Sequence, residues 1–189
     1  MQTANDKLLN QVQRPEAYRE VVVWSGDVPI VLSVWAGQPD KAAVVFLPGT
    51  MTHPLFYEEF LDELNRHGLN VIGVHSQAHG KSPRTRQPLT FSRLMTNARD
   101  AAALTRREYP GCPVAVIGSS QGGIVAMALA SAGDDFDVVI AHNILDPSLA
   151  ASVEITRFPR WLRHVYPAVI GAIRIIGRLV PWVPVPFDA

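Results

Sequence analysis

The chain has 189 residues, and its 48 % hydrophobic content is enough for the core of one sizeable domain. Its 17 basic and 17 acidic side chains cancel, so the charge balance excludes any argument for nucleic acid or a strongly acidic substrate as a partner. Cys112 is the single cysteine, which excludes an internal disulfide and a cysteine-based metal cluster. We expect no cofactor and no metal. Residues 1–20 hold no apolar run that could serve as a secretion signal, so a cytoplasmic location is expected.

Apolar patterns along the chain predict alternating strands and helices. Strands over 21–24 and 30–35 flank the glycine-bearing turn 25–27 and predict a β-hairpin. The later elements are, in order, strand 42–47, helix 55–66, strand 70–75, helix 91–109, strand 114–117, helix 122–132 and strand 138–142. The helix over 55–66 is expected to place Phe56, Phe60, Leu61 and Leu64 on one side. This alternation predicts an α/β fold with a mostly parallel sheet of about six strands.

Between the strand at 114–117 and the helix that follows lies a G-x-S-x-G pentapeptide, Gly118-Ser119-Ser120-Gln121-Gly122. Such a strand, sharp turn and helix force the middle residue into a strained backbone position with its side chain above the sheet edge. Glycines two residues to either side let the backbones pass closely. The pattern therefore predicts Ser120 as a nucleophile, and the alternative is a serine in an ordinary strand-to-helix turn.

Two more segments accompany the pentapeptide. Residues 48–59 begin with Pro48-Gly49-Thr50 after the third strand, and residues 77–82 read Gln-Ala-His-Gly-Lys-Ser after the fourth. With the elbow, they resemble three motifs of the serine-hydrolase branch of the α/β-hydrolase superfamily, especially its monoacylglycerol lipase and lysophospholipase-like group. The likeness covers about residues 21–147. Two residues depart from the pattern of that group: Pro48 replaces its usual histidine, and Ala78 replaces its glycine. His53, Tyr57 and the acidic pair Glu58-Glu59 match it.

The resemblance implies an α/β-hydrolase core that transfers the acyl group of a small-molecule carboxylic ester, possibly a lipid-like one, to water through Ser120. It also implies an oxyanion hole made of the backbone N–H groups of Thr50 and Gln121. A simple loop after a buried strand is the alternative for 48–50. Two other functions stay open: a peptidase, amidase or acyltransferase on the same core, and a truncated, inactive hydrolase-like binding domain.

A serine hydroxyl needs a base, and this superfamily supplies Ser, acid and His in that order. The resemblance places the acid after a seventh strand and the histidine after an eighth, but these residues predict only six strands. His142, in the sixth strand, and His164, in the tail, do not match the position of that histidine. The triad is therefore expected to be incomplete here, and this chain alone is expected to be inactive.

Each remaining candidate for the acid or the base also has a purely structural explanation. Asp146 follows the sixth strand, where some hydrolases keep the acid, but an aspartate before Pro147 is more commonly a turn residue. His53 and His79 lie near turns, where histidines usually form local hydrogen bonds.

The predicted domains are the N-terminal part of the hydrolase core over 1–150 and a partial helical cap or lid over 151–189. One helical side of the cap is apolar and the other carries Arg174 and Arg178. Such a helix suits peripheral membrane or lipid contact, although packing on its own domain is the alternative. Because a sheet ending at 138–142 would leave an apolar edge open, we expect another chain, a second copy or the tail to cover it.

Overall fold

A computed structural model describes residues 18–134, 136–144 and 168. Contacts divide the chain into two units, Met1–Asn143 and Ile144–Ala189, and every element described below belongs to the first. Asp146, His164 and, apart from Ala168, the predicted cap lie outside the described residues. None of the helices in the described part of the chain combines the length and apolar content needed to cross a membrane.

Six strands form a single sheet in the order β1-β2-β4-β3-β5-β6. Strand β2 pairs antiparallel with β1 and β4, while the β3–β4, β3–β5 and β5–β6 pairs are parallel. The strands are β1 Tyr18–Ser25, β2 Val28–Trp35, β3 Ala43–Leu47, β4 Asn70–His75, β5 Val114–Ser119 and β6 Val138–His142. The predicted α/β fold with a mostly parallel six-stranded sheet is confirmed.

Three α-helices and one 3₁₀ turn connect the strands. They are the 3₁₀ turn Pro54–Tyr57, α1 Glu58–Arg66, α2 Phe91–Glu108 and α3 Gln121–Ser131. Side chains of α2 and α3 pack with one sheet face, including Val45 and Val116. Leu55 and Leu61 pack with the other face around Trp35, Phe46 and Val71. The central strands β2, β3, β4 and β5 are therefore covered on both faces, as their apolar sequences require.

The prediction of one amphipathic helix over 55–66 needs correction. Residues 54–57 form a 3₁₀ turn instead, which has three residues per turn and therefore shifts the side that faces the sheet. Leu55 and Leu61 are buried, whereas Phe56 and Phe60 are 54 % and 43 % exposed. Both phenylalanines are consequently available at the surface.

The loop after β4 is fixed by two buried side chains. The Ser82 hydroxyl accepts the Val31 N–H at 2.9 Å and donates to the His75 carbonyl at 2.6 Å. His75 Nδ1 accepts the Lys81 N–H at 3.0 Å, so the imidazole is neutral with its proton on Nε2, which donates to Ser33 Oγ at 2.9 Å. Ser82 and His75 thus hold the loop against the sheet.

Candidate active site

Ser120 lies at the junction of β5 and α3 with φ +52° and ψ −114°. A positive φ is uncommon for a residue with a side chain and costs about 1–3 kcal/mol when combined with an unusual ψ. The Ser120 N–H donates to the His142 carbonyl at 3.0 Å, which ties the turn to β6. The backbone therefore has the strained geometry that the pentapeptide predicts, and the chemical role of Ser120 stays a prediction.

Both glycines of the pentapeptide are required by close backbone contacts. A Cβ on Gly118 would lie 2.2 Å from the Gly122 carbonyl oxygen. A Cβ on Gly122 would lie 2.1 Å from the Leu47 carbonyl oxygen and 2.6 Å from that of Pro48. The first turn of α3 can therefore pass the end of β3 only because these positions lack side chains.

Gly122→Ala is expected to lower the free energy of unfolding by about 3 kcal/mol or more, because the added methyl group meets backbone atoms that cannot rotate away. Urea denaturation monitored by circular dichroism measures the loss. Gly111→Ala is the matched control: a Cβ there meets no atom within 4 Å, although φ is +81°. It should cost only the backbone penalty of about 1–2 kcal/mol. Equal losses in the two variants would contradict the steric argument.

The turn after β3 lies beside the elbow. A Cβ built on Gly49 would be 3.4 Å from Ser120 Cβ. Thr50 directly follows Gly49 and Gln121 directly follows Ser120, so both lie next to this close approach in the chain. Gln121 is the first residue of α3, where an N–H has no acceptor within the helix. The Thr52 N–H and hydroxyl both donate to the Gly49 carbonyl, at 3.2 and 2.8 Å, and close the turn. The roles of Thr50 and Gln121 in an oxyanion hole stay predictions.

The candidate histidines of the described region occupy different settings. His142 ends β6 as an exposed residue in register with Ser119. The His79 Nδ1 lies 2.9 Å from the Gln77 carbonyl and donates to it, which is the local hydrogen bond expected for a turn histidine. The His53 ring stacks on His75 with centroids 5.6 Å apart. None of these contacts assigns a general base.

Sequence reasoning did not identify one polar group at this site, the Tyr57 hydroxyl. It lies 3.4 Å from the Gly49 nitrogen, from Thr52 Oγ1 and from Ser119 Oγ. The resemblance had matched Tyr57 only as a motif position. Its contact with Ser119 spans 62 residues of sequence, which no local pattern reveals.

The profile of a protein family described as "Serine aminopeptidase, S33" (Hydrolase_4) matches residues 38–187, a range that includes the elbow and both turns beside it. The chain belongs to this family. This chain is 26 % identical over 164 residues to a monoacylglycerol lipase of Mycolicibacterium smegmatis. The aligned region covers 85 % of this chain and 54 % of the lipase. The chain therefore spans about half the length of that relative.

Solved structures of the same fold include an esterase from Pyrococcus furiosus and a carboxyl esterase from Bacillus coagulans. The first has 19 % identity and a TM-score of 0.63, and the match covers 85 % of this chain and 62 % of that one. The second has 15 % identity and a TM-score of 0.63, covering 92 % and 60 %. At these identities the structures show the fold, and the expected α/β-hydrolase resemblance is confirmed.

Proposed function

We propose that this chain carries the nucleophile and oxyanion hole of a serine hydrolase that acts on carboxylic esters. The observation that carries the proposal is the strained backbone of Ser120 between two glycines at which an added Cβ would lie 2.1–2.2 Å from backbone oxygens. Strain of this kind lifts the hydroxyl above the sheet edge, where it can reach a substrate. Membership of the S33 family and similarity to a monoacylglycerol lipase support the same chemistry.

In the proposed reaction, Ser120 Oγ attacks the ester carbonyl carbon while a base takes the hydroxyl proton. The carbonyl oxygen becomes negative and accepts hydrogen bonds from the N–H groups of Thr50 and Gln121. Each such donor is worth about 3 kcal/mol in comparable sites. Collapse of the intermediate expels the alcohol, which receives the proton, and leaves an acyl-enzyme. Water then attacks in the same way and releases the acid and free Ser120.

The base and acid are proposed to come from outside the set of residues described above. The superfamily resemblance places them after two further strands, and these 189 residues predict six strands. A test therefore uses "the extended chain", which we define as this chain continued by a segment that carries two more strands, an acid and a histidine. The proposed function predicts that an alkyl fluorophosphonate labels the extended chain covalently.

An apolar ester is the proposed substrate class. Met51 and Phe56 are 48 % and 54 % exposed, so the segment that follows Thr50 carries exposed apolar side chains. The family description favours one other candidate, an aminopeptidase. Rates on a short-chain aryl ester and on an aminoacyl anilide separate the two, and we expect the ester to react faster. Lack of labelling and of both activities would favour a hydrolase-like binding domain. Lipid contact through 151–189 stays a proposal from its sequence pattern.

We also propose that another chain, a second copy or the C-terminal residues cover the free edge of β6. In the described part of the chain, β6 pairs only with β5. Its side chains Val138, Val139 and Ile140 are 49 %, 36 % and 46 % exposed. Soluble proteins normally cover an apolar strand edge of this kind, because its unpaired N–H and C=O groups recruit further strands.

The β6 proposal predicts that the amides of this strand not bonded to β5 are protected from hydrogen exchange in solution. If a second copy covers the edge, light scattering should give about twice the 20.7 kDa chain mass, and Ile140→Lys should restore the monomer. Val22→Lys is a matched control, since Val22 is 64 % exposed on β1 at the opposite end of the sheet. A monodisperse monomer with unprotected β6 amides would reject the idea.

A further inference from the structure

We propose that Tyr57 is a positioning residue whose hydroxyl holds the turn after β3 against the end of β5. The inference rests on the proposed function, because that turn carries the Thr50 N–H. Tyr57 ends the 3₁₀ turn, and its ring packs 4.8 Å from that of Phe46. The hydroxyl oxygen accepts the Gly49 N–H at 3.4 Å, and the hydroxyl donates to Ser119 Oγ at 3.4 Å. One oxygen therefore links the turn to the strand that leads into Ser120.

The assignment of each hydroxyl proton to an acceptor shows why the Tyr57 hydroxyl is needed. Thr52 gives its hydroxyl proton to the Gly49 carbonyl at 2.8 Å, so Thr52 Oγ1 can only accept from Tyr57. The single Tyr57 proton is then shared between Thr52 and Ser119, while its lone pair takes the Gly49 N–H. Without that oxygen, the Gly49 N–H loses this acceptor and the turn loses its link to β5.

The surroundings leave the turn little freedom. A Cβ on Gly49 would lie 3.3 Å from the Tyr57 hydroxyl and 3.4 Å from Ser120 Cβ. Burial alone would raise the pKa of Tyr57. On ionisation, however, the Ser119 and Thr52 hydroxyls can turn to donate to the phenolate beside the Gly49 N–H, and these hydrogen bonds outweigh burial, so the pKa is lowered. A shift of Gly49 would carry the next N–H, that of Thr50, with it. Tyr57 thus acts on the reaction only through the turn.

The test measures amide hydrogen exchange by NMR on the ¹⁵N-labelled 189-residue chain and its Tyr57→Phe variant. We expect exchange at Gly49 and Thr50 to become about tenfold faster, with shifted Ser119 and Ser120 resonances and unchanged protection in β4. Tyr109→Phe, at the end of α2, is the matched control and should leave the turn unchanged. Unchanged exchange at Gly49, or equal acceleration throughout the sheet, would overturn the proposal.

Two further readouts complete the test. Titration of the tyrosine rings in the unmodified chain, followed by ¹³C NMR, should ionise Tyr57 at lower pH than Tyr109, whose pKa is raised by burial. The reverse order would overturn the hydrogen-bond assignment even if Tyr57→Phe failed to fold.

In the extended chain, Tyr57→Phe should lower kcat about tenfold with KM unchanged. An unlabelled, inactive extended chain would reject the proposed function, while the exchange measurement would still decide the role of Tyr57.

Discussion

Ser120→Ala is expected to abolish labelling of the extended chain by an alkyl fluorophosphonate and to lower ester hydrolysis by at least about 10⁴-fold. Loss of a nucleophilic serine removes the covalent route, so only binding and the oxyanion hole remain, and effects of 10⁴ to 10⁶ are typical. Intact-mass spectrometry measures the adduct, and a chromogenic aryl ester measures the rate. Peptide mapping of the adduct should identify Ser120.

Ser119→Ala is the neighbouring control. Ser119 is the last residue of β5, only 3 % exposed, and Ile117 rather than glycine lies two residues before it. It therefore lacks the geometry of the elbow position. Because its hydroxyl accepts from Tyr57, we expect labelling of Ser119→Ala to slow by several-fold at most. Labelling that persists in Ser120→Ala would show that another residue is the nucleophile.

The elements that the sequence predicted best are those set by local patterns. Strands β4 and β6 begin and end at the predicted residues, and the hairpin turns at the predicted glycine, with Gly26 at φ +61°. The elbow was predictable for the same reason, because its glycines, strand and helix are adjacent in sequence. The apolar run over 42–47 has no alternation, which is typical of a strand covered on both faces, and β3 is buried along its whole length.

Features that depend on distant residues could not be predicted in this way. The order β1-β2-β4-β3-β5-β6 is set by which strands pair across the sheet, and strand patterns alone do not encode partners. Phe56 and Phe60 were assigned to the same helix side as Leu61, because a 3₁₀ turn and an α-helix share similar apolar spacing over a few residues. The Tyr57 hydroxyl joins the turn after β3 to Ser119, 62 residues further along the chain, so only the folded chain reveals it.

Ala78 departs from the family pattern at a position where the backbone favours glycine. The resemblance expects glycine at this position, and Ala78 has φ +61°, a conformation that costs a residue with a Cβ about 1–2 kcal/mol. Nearby Gly80, at φ +55°, would place a Cβ 2.2 Å from His75 Nδ1. The turn therefore tolerates a methyl group at 78 with strain, but at 80 it has no space for one.

The 189-residue chain alone is expected to hydrolyse a short-chain aryl ester at a rate near background, and the extended chain is expected to be at least about 10³-fold faster. A serine hydroxyl is a weak nucleophile at neutral pH unless a positioned base accepts its proton. An oxyanion hole without that base retains about 10³-fold over water in the best precedent. Initial rates of both proteins, each beside its Ser120→Ala variant, measure the difference and subtract the reactivity of other side chains.

Alanine variants at three histidines test the proposal that the added segment supplies the base. His142 is exposed at the carboxyl end of β6, and its carbonyl accepts the Ser120 N–H, while His53 follows the turn beside the elbow and His164 lies outside the described residues. If the base is supplied only by the added segment, alanine at each of these positions leaves the near-background rate of the 189-residue chain unchanged. Robust turnover by this chain that disappears in His53→Ala, His142→Ala or His164→Ala would show that the affected histidine serves as the base, and the proposal of an incomplete triad would be wrong.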